Sequence, residues 1–339
     1  MRDVFSPGEL AGDHLCEVLY RFPDGVLMGI RRSDGQLLIK PDTNTELADD
    51  DDVLILAQDD STIEFKRRAI AKANEHPLHE LRLEQRIENE LIIGWNLKGV
   101  VIVREYAEYV VEGSRIDVII KDPSPKTVRG IEQLNQELEQ LTIQLHQKDP
   151  LLPDTILESK PGTRDNIIII GGEQADPEKA DAYTILLLLL LRGVLAEHAQ
   201  ETVNTRLITK VMDSSNRSLI AQTGVKDFII SNRFISMLIA QVSEEPDMRN
   251  VYEQLFDEDG SQIYLKPLSV YFDDMPESLS FADCMAIALK RDEICLSIKI
   301  KELELKKDEN FGVQLVPDKK KTYQLNGDDC LIVLAEDEA

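Results

Sequence analysis

The stretch LIIGWNLKGVVI, Leu91 to Ile102, decides the fold. Leu91, Ile92 and Ile93 run into Gly94, and a helical segment follows, the order in which a βαβ unit begins. The glycines come close to the spacing G-x-G-x-x-G. Gly94 and Gly99 occupy the positions that give a tight turn and a close helix–strand contact, whereas Asn96 replaces the glycine that lets backbone approach a pyrophosphate. The turn is kept, and its fit to a dinucleotide is weakened.

Outward from this turn, apolar runs recur at Leu91 to Ile93, Ile116 to Ile120, Ile167 to Ile170, Leu207 to Val211 and Phe228 to Ile230, with helical patterns between most of them. Unbroken Ile/Val/Leu strands alternating with helices indicate a doubly wound parallel sheet covered on both faces. A helix is expected near Ile131 to Leu145, because Ile131, Leu134, Leu138, Leu141 and Leu145 fall at steps of three and four, one apolar stripe packed on the sheet. The run Tyr183 to Leu195 is apolar all round and is expected to lie buried beneath the sheet. Beyond Phe234 the helical text breaks at Pro246, predicting a helix, a turn and a second helix before strands resume at Gln262.

Before the sheet, Cys16 to Asp60 reads as short strands separated by turns such as Pro23-Asp24-Gly25 and Asp34-Gly35. Ser61 to Asn89 is charged and reads as helical. The ends of the chain resemble each other. LLIKPDTNTELADDDDVLILAQDD and VQLVPDKKKTYQLNGDDCLIVLAEDEA share an order of apolar strand, Pro-Asp, polar turn, leucine, acidic pair and apolar strand, pairing Pro41 with Pro317, Leu47 with Leu325, Asp52 with Asp329 and Ala57 with Ala335. The expected organisation is a β-rich lobe over 1–65, a helical connector over 66–90, an α/β domain with crossover helices over 91–256, and a second lobe like the first over 257–339.

The 339 residues carry 63 acidic and 38 basic side chains, a net charge of −25, which opposes nucleic acid or any other polyphosphate partner. Cys16, Cys284, Cys295 and Cys330 show no C-x-x-C spacing, consistent with a reducing, cytoplasmic setting. The start MRDVFSPGEL lacks the regions of a signal peptide, and the apolar run Thr184 to Leu191 is far below spanning length. His14, His76, His79, His146 and His198 show no metal spacing, and no G-x-S-x-G elbow or P-loop occurs. An enzyme is not indicated.

In a doubly wound sheet, ligands settle at the carboxyl ends of the strands where the strand order reverses. Gly94, Asn96, Gly99, Asp122, Gly171 and Gly172 fall there, and Asp122 ends a strand where a dinucleotide site holds its ribose-binding acid. Glu173, Asp176, Glu178 and Asp181 then place carboxylates on a loop and helix start, a donor type that hard cations use. The run Asp49 to Asp52 lies in a window, Pro41 to Asp60, with eight acids and no base, and is expected to be a solvated turn before a strand.

This order of elements resembles the RCK domain, the regulator of potassium conductance, in which a Rossmann-like half precedes a small β-rich C-terminal half. The lobe ending L-x-x-x-D-D-V-L-I-L-A looks like that second half. ENELIIGWNLKG, SRIDVIIKDP, DNIIIIGGEQADPEKADAYTILLLLLLR and GVKDFIISNRFISMLIAQ further resemble the CASTOR and POLLUX branch of these channel proteins. The resemblance implies a Rossmann-like sheet flanked by two RCK C-terminal-type lobes, acting as a cytosolic ligand-sensing gating-ring module. It implies homo-oligomers, a membrane pore domain or transporter as partner, and Ca²⁺ as ligand, for which Glu173, Asp176, Asp181 and Asp122 are the residues of choice. The alternatives are a nucleotide-sensing peripheral subunit of Trk-type potassium uptake and an NAD-dependent oxidoreductase. The degenerate fingerprint counts against NAD(H).

Overall fold

The computed structural model describes residues 10, 12–59, 61, 63–79, 87–171, 177–197, 205–211, 227–256, 260–304 and 306–336. The chain divides into two compact units, Met1–Glu84 together with Glu245–Ala339, and Gln85–Glu244.

In the first unit a short helix, Leu15–Val18, leads into β1 (Gly25–Arg31), β2 (Leu37–Ile39) and β3 (Asp52–Ala57), antiparallel in the order β2-β1-β3. Turn residues set the β1–β2 connection, where Gly35 takes φ +88° and Asp34 accepts a bond from Gln36 N–H. The segment read as a helical connector contains no α-helix among the described residues 63–79. It runs as a strap bonded to the lobes, with Asn74 N–H donating to Asp283 at 2.6 Å and His79 N–H to Tyr271 O at 2.9 Å. Ile63, Phe65 and Leu78 pack on the core of this unit, so tertiary contacts and borrowed hydrogen bonds win over helix propensity.

The second unit is a six-stranded, wholly parallel sheet of β4 (Asn89–Ile93), β5 (Ser114–Ile120), β6 (Leu141–Gln147), β7 (Asn166–Ile169), β8 (Arg206–Val211) and β9 (Asp227–Ile230). Its order, β6-β5-β4-β7-β8-β9, is the doubly wound one, reversing between β4 and β7. Alternation separates the faces. Leu91, Ile93, Ile167 and Ile169 pack with Leu187, Leu188 and Leu191 on one side, while Ile92, Ile116 and Val118 pack with Val103, Ile131 and Leu134 on the other. Each such side chain contributes about 1.5–3 kcal/mol on burial.

Two expectations fail here. The helix expected to continue to Leu145 ends at Glu137, and Leu141, Ile143 and Leu145 belong to β6. Those residues fit both periods, and Leu141-Thr142-Ile143-Gln144 alternates buried and exposed, which only a strand allows. The helix containing Tyr183 to Leu195 spans Pro177–Glu197, and it is not buried all round. Leu187, Leu188, Leu191 and Val194 face the sheet, but Leu186 and Leu189 are 56 % and 52 % exposed.

The helix–turn–helix expected around Pro246 is present as Ser231–Glu244 and Met248–Leu255. After it come β10 (Gln262–Pro267), β11 (Leu279–Ser280), the helix Phe281–Leu289, β12 (Ile294–Lys299), β13 (Val313–Leu315), β14 (Thr322–Tyr323) and β15 (Cys330–Ala335). The main sheet has the order β10-β15-β12-β13.

The repeat is structural. β1 pairs with β2 and β3 as β12 pairs with β13 and β15, and each central strand bulges at the same place, between Leu27 and Gly29 and between Cys295 and Ser297. Lys40 and Val316, preceding the matched prolines, both adopt positive φ, 49° and 45°. The register corrects one pairing. Cys330, not Asp329, stands opposite Lys299 as Asp52 stands opposite Arg31. Asp51 is therefore the counterpart of Asp329, and both accept a backbone N–H from three residues upstream, Ala48 at 2.9 Å and Asn326 at 2.8 Å.

The two lobes share one core that includes Phe22, Leu27 and Ile30 with Phe281, Leu296 and Leu331. Reciprocal lysines also join them. Lys40 Nζ donates to the carbonyl of Asp292 at 3.1 Å and pairs with its carboxylate, while Lys319 Nζ donates to the carbonyls of Phe22 and Gly25, the latter at 2.8 Å. Lys319 is fully buried, and desolvation pulls its pKa down to about 8.

Candidate functional site

At the carboxyl edge of β4, Gly94 takes φ +86°, and a Cβ there would stand 2.0 Å from the carbonyl oxygen of Ile170. Glycine is required by conformation and by space. Asn96 follows in extended backbone and caps the helix Leu97–Tyr109. Its Oδ1 accepts from Lys98 N–H at 2.8 Å and its Nδ2 donates to the carbonyl of Gly171 at 2.7 Å. One side chain thus ties the β4 turn to the β7 turn across the reversal point of the sheet. Gly99 N–H is taken by the carbonyl of Asn96 at 3.0 Å. A Cβ at Gly99 would lie 2.9 Å from the indole of Trp95, so that ring covers the first turn of the helix.

These bonds occupy donors that a phosphate at a helix N-terminus would use. Asn96 stands for the anion in the capping scheme: its amide oxygen accepts where a phosphate oxygen would. The position read as a departure from the fingerprint is the residue that organises the turn.

Of the other residues expected at this edge, Asp122 is exposed in the turn after β5 with φ +50°, and Asp181 is 2 % exposed within the helix Pro177–Glu197. Gly171 contributes its carbonyl. Gly172, Glu173 and Asp176 lie outside the described residues. Among the described residues no group of three or more His, Cys, Asp or Glu is placed to hold a metal ion.

The run Asp49 to Asp52 is not wholly a solvated turn. Asp49 and Asp50 are exposed, but Asp51 is buried against Arg32, and Asp52 pairs with Arg31 at 2.5 Å. The partners, Arg31 at the end of β1 and Arg32 just after it, lie outside the window that sequence proximity would consider.

Two charged centres of the sheet were missed. Glu90 of β4 is 1 % exposed. Burial raises its pKa to about 7 against the opposing bonds from Asn166 and Tyr106, and its Oε2 makes no hydrogen bond among the described residues. Asp117 of β5 is 3 % exposed, and burial alone would raise its pKa too. Bonds from Arg115 at 2.8 Å, His146 Nε2 at 2.8 Å and Arg164 at 2.7 Å outweigh that and hold it at about 2. An aspartate inside an apolar strand run, SRIDVII, was the available signal, because a charge on a buried strand needs a partner.

Comparison with known proteins agrees with this architecture. Residues 3–73 match the family described as "Castor and Pollux, part of voltage-gated ion channel". Over 97 % of the chain there is 25 % identity to the probable ion channel SYM8 of Pisum sativum, and over 86 % there is 26 % identity to the probable ion channel POLLUX of Oryza sativa subsp. japonica. The chain spans 40 % and 33 % of the lengths of those two relatives. Among solved structures, the human SLO3 gating ring superposes on 92 % of the chain, covering 61 % of that structure, with a TM-score of 0.61 and 13 % identity. Among the described residues no helix is long and apolar enough to cross a membrane. The doubly wound sheet and the paired lobes thus give the chain the fold of the SLO3 gating ring over most of its length, and its sequence resembles part of the CASTOR and POLLUX ion channels.

Proposed function

We propose that the chain is a cytosolic regulatory module of a cation channel, one that senses a ligand and acts by rearrangement within an RCK assembly. The observation that carries this reading is the pairing of a doubly wound sheet with a duplicated β-rich lobe, a fold shared with a gating ring over most of the chain. A ligand that binds one arrangement of such an assembly better than another shifts the populations, and a pore attached to it feels the shift as force. Homo-oligomerisation belongs to the same proposal, with Phe234, Ile235, Met237 and Ile239, all exposed on the helix Ser231–Glu244, as the surface a second copy covers. A chain that stays monomeric at micromolar concentration by light scattering would remove this part.

Calcium is the ligand proposed. The residues proposed to hold it, Glu173, Asp176, Asp181 and Asp122, are carboxylates, the type that hard cations take together with carbonyls. Alanine at each of the four positions should weaken calcium binding in chelator-stripped protein; unchanged affinity in all four removes the assignment. The turn of Gly94 and Asn96 serves architecture in this reading, and the bonds that Asn96 makes with Lys98 N–H and the carbonyl of Gly171 count against a pyrophosphate there and so against an oxidoreductase. A nucleotide-sensing subunit of Trk-type uptake remains the second reading, favoured only if the protein co-purifies with a separate membrane protein.

A further inference from the structure

A cleft of about 510 Å³ lies along the face of β5 and β6 that the long helix Pro177–Glu197 leaves open. It is lined by Arg115, Asp117, His146, Lys148, Lys160 and Arg164. Four permanent cations here face two carboxylates, Asp117 and Glu158, and His146 adds a charge when protonated. In a chain with 63 acidic and 38 basic side chains, this is a local reversal of sign, and the cations gathered in it repel one another.

The groups are positioned by bonds within the cleft. Asp117 holds Arg115 and Arg164 from opposite oxygens, and Arg164 is fixed a second time by the carbonyl of Ser159, at 3.0 and 2.8 Å. Arg115 keeps Nη1 without a hydrogen bond among the described residues, and the exposed Lys160 side chain makes neither a hydrogen bond nor an ion pair among them. Lys160 also has φ +50° directly after the helix Pro153–Glu158, a position where glycine is usual. A lysine, not a glycine, is placed there.

We propose that this cleft binds a phosphate-bearing small molecule, with the Arg115 and Arg164 guanidinium groups pre-oriented by Asp117 and the exposed Lys148 and Lys160 closing on the anion. Guanidinium forks match phosphate oxygens in pairs, and a phosphomonoester carries nearly two negative charges at neutral pH, the amount that the cleft leaves unbalanced. The volume suits a small molecule. The site uses none of the residues proposed to hold calcium, so its failure would leave the channel-module reading intact.

The test is calorimetric titration of the full chain at low ionic strength with inorganic pyrophosphate and, in a second arm, with vesicles containing phosphatidic acid. Lys160→Ala, Lys148→Ala and Arg115→Gln should each weaken binding at least about tenfold, the loss of one charge-assisted hydrogen bond. Lys126→Ala, the same charge change on the helix Pro125–Glu137, should leave it unchanged. Binding only to the vesicles would identify a lipid headgroup as the phosphate source and still support the site. Absence of binding in both arms at millimolar phosphate, or equal affinity in the cleft variants and in Lys126→Ala, would overturn it.

Discussion

Asn96→Gly restores the complete G-x-G-x-x-G spacing at Gly94, residue 96 and Gly99, and it separates an architectural turn from a ligand site. If the side chain of Asn96 organises the turn, the variant loses the bond from Nδ2 to Gly171 O, worth about 0.5–1.5 kcal/mol, and a cap whose exchange for glycine costs a few tenths of a kcal/mol. The total is about 1–1.5 kcal/mol, or a fall of roughly 0.5–1 M in urea midpoint at ordinary denaturant dependence. Trp95 is the single tryptophan and packs against Gly99, so its fluorescence follows the unit Gln85–Glu244 without requiring that both units unfold together. NADH should not restore the lost stability, because the Trp95 ring still covers the helix start. An unchanged midpoint, or a midpoint that rises with NADH in the variant, would refute this reading of the turn.

Three further outcomes follow from buried charges. Asp329→Asn, which weakens the bonds from Lys301 N–H and Asn326 N–H, should cost about 1.5–3 kcal/mol in urea unfolding, and Asp51→Asn a comparable amount, whereas Cys330→Ala at the half-buried neighbouring position should cost less. Lys319 has a folded pKa of about 8, below its unfolded value, so the unfolded chain binds the extra proton and stability rises between about pH 8 and 10.5, by up to about 3 kcal/mol. The thiols of Cys284 and Cys295, raised by burial, act in the opposite sense, and subtracting the pH profile of Lys319→Met from that of the wild type isolates the lysine; identical profiles would contradict its depressed pKa. Glu90 has a folded pKa raised to about 7, so its contribution is full below about pH 4.5 and is lost as pH rises through 7; Glu90→Gln should flatten that fall in the urea midpoint, and a variant as pH-sensitive as the wild type would contradict it.

How far the sequence could be read depended on whether the determining contacts were local. The strand at Leu91 to Ile93 and the turn at Gly94 were readable because periodicity and a positive φ leave direct marks on residue choice. The end of the helix at Glu137 was not, since Leu141 and Leu145 satisfy the spacing of three and four as well as that of two, and only pairing with β5 decides between them. The repeat was visible in Pro41 and Pro317, yet its register slipped by one at Asp52 because adjacent aspartates are indistinguishable until one of them bonds three residues back. The cleft of Asp117 was missed for a similar reason. Arg115 lies two residues away, but His146 and Arg164 reach the same carboxylate from 29 and 47 residues further along the chain.

In the proposed reading this chain senses calcium through the carboxylates expected at the carboxyl edge of its sheet. The direct measurement is thermal unfolding of chelator-stripped protein with millimolar Ca²⁺, in parallel with Mg²⁺ and NADH. A ligand that binds only the folded state, present at a hundred times its dissociation constant, adds about 2.7 kcal/mol. A calcium-selective rise in the unfolding midpoint that is lost in Asp181→Ala is expected. No shift with calcium, or a shift with NADH alone, would contradict it.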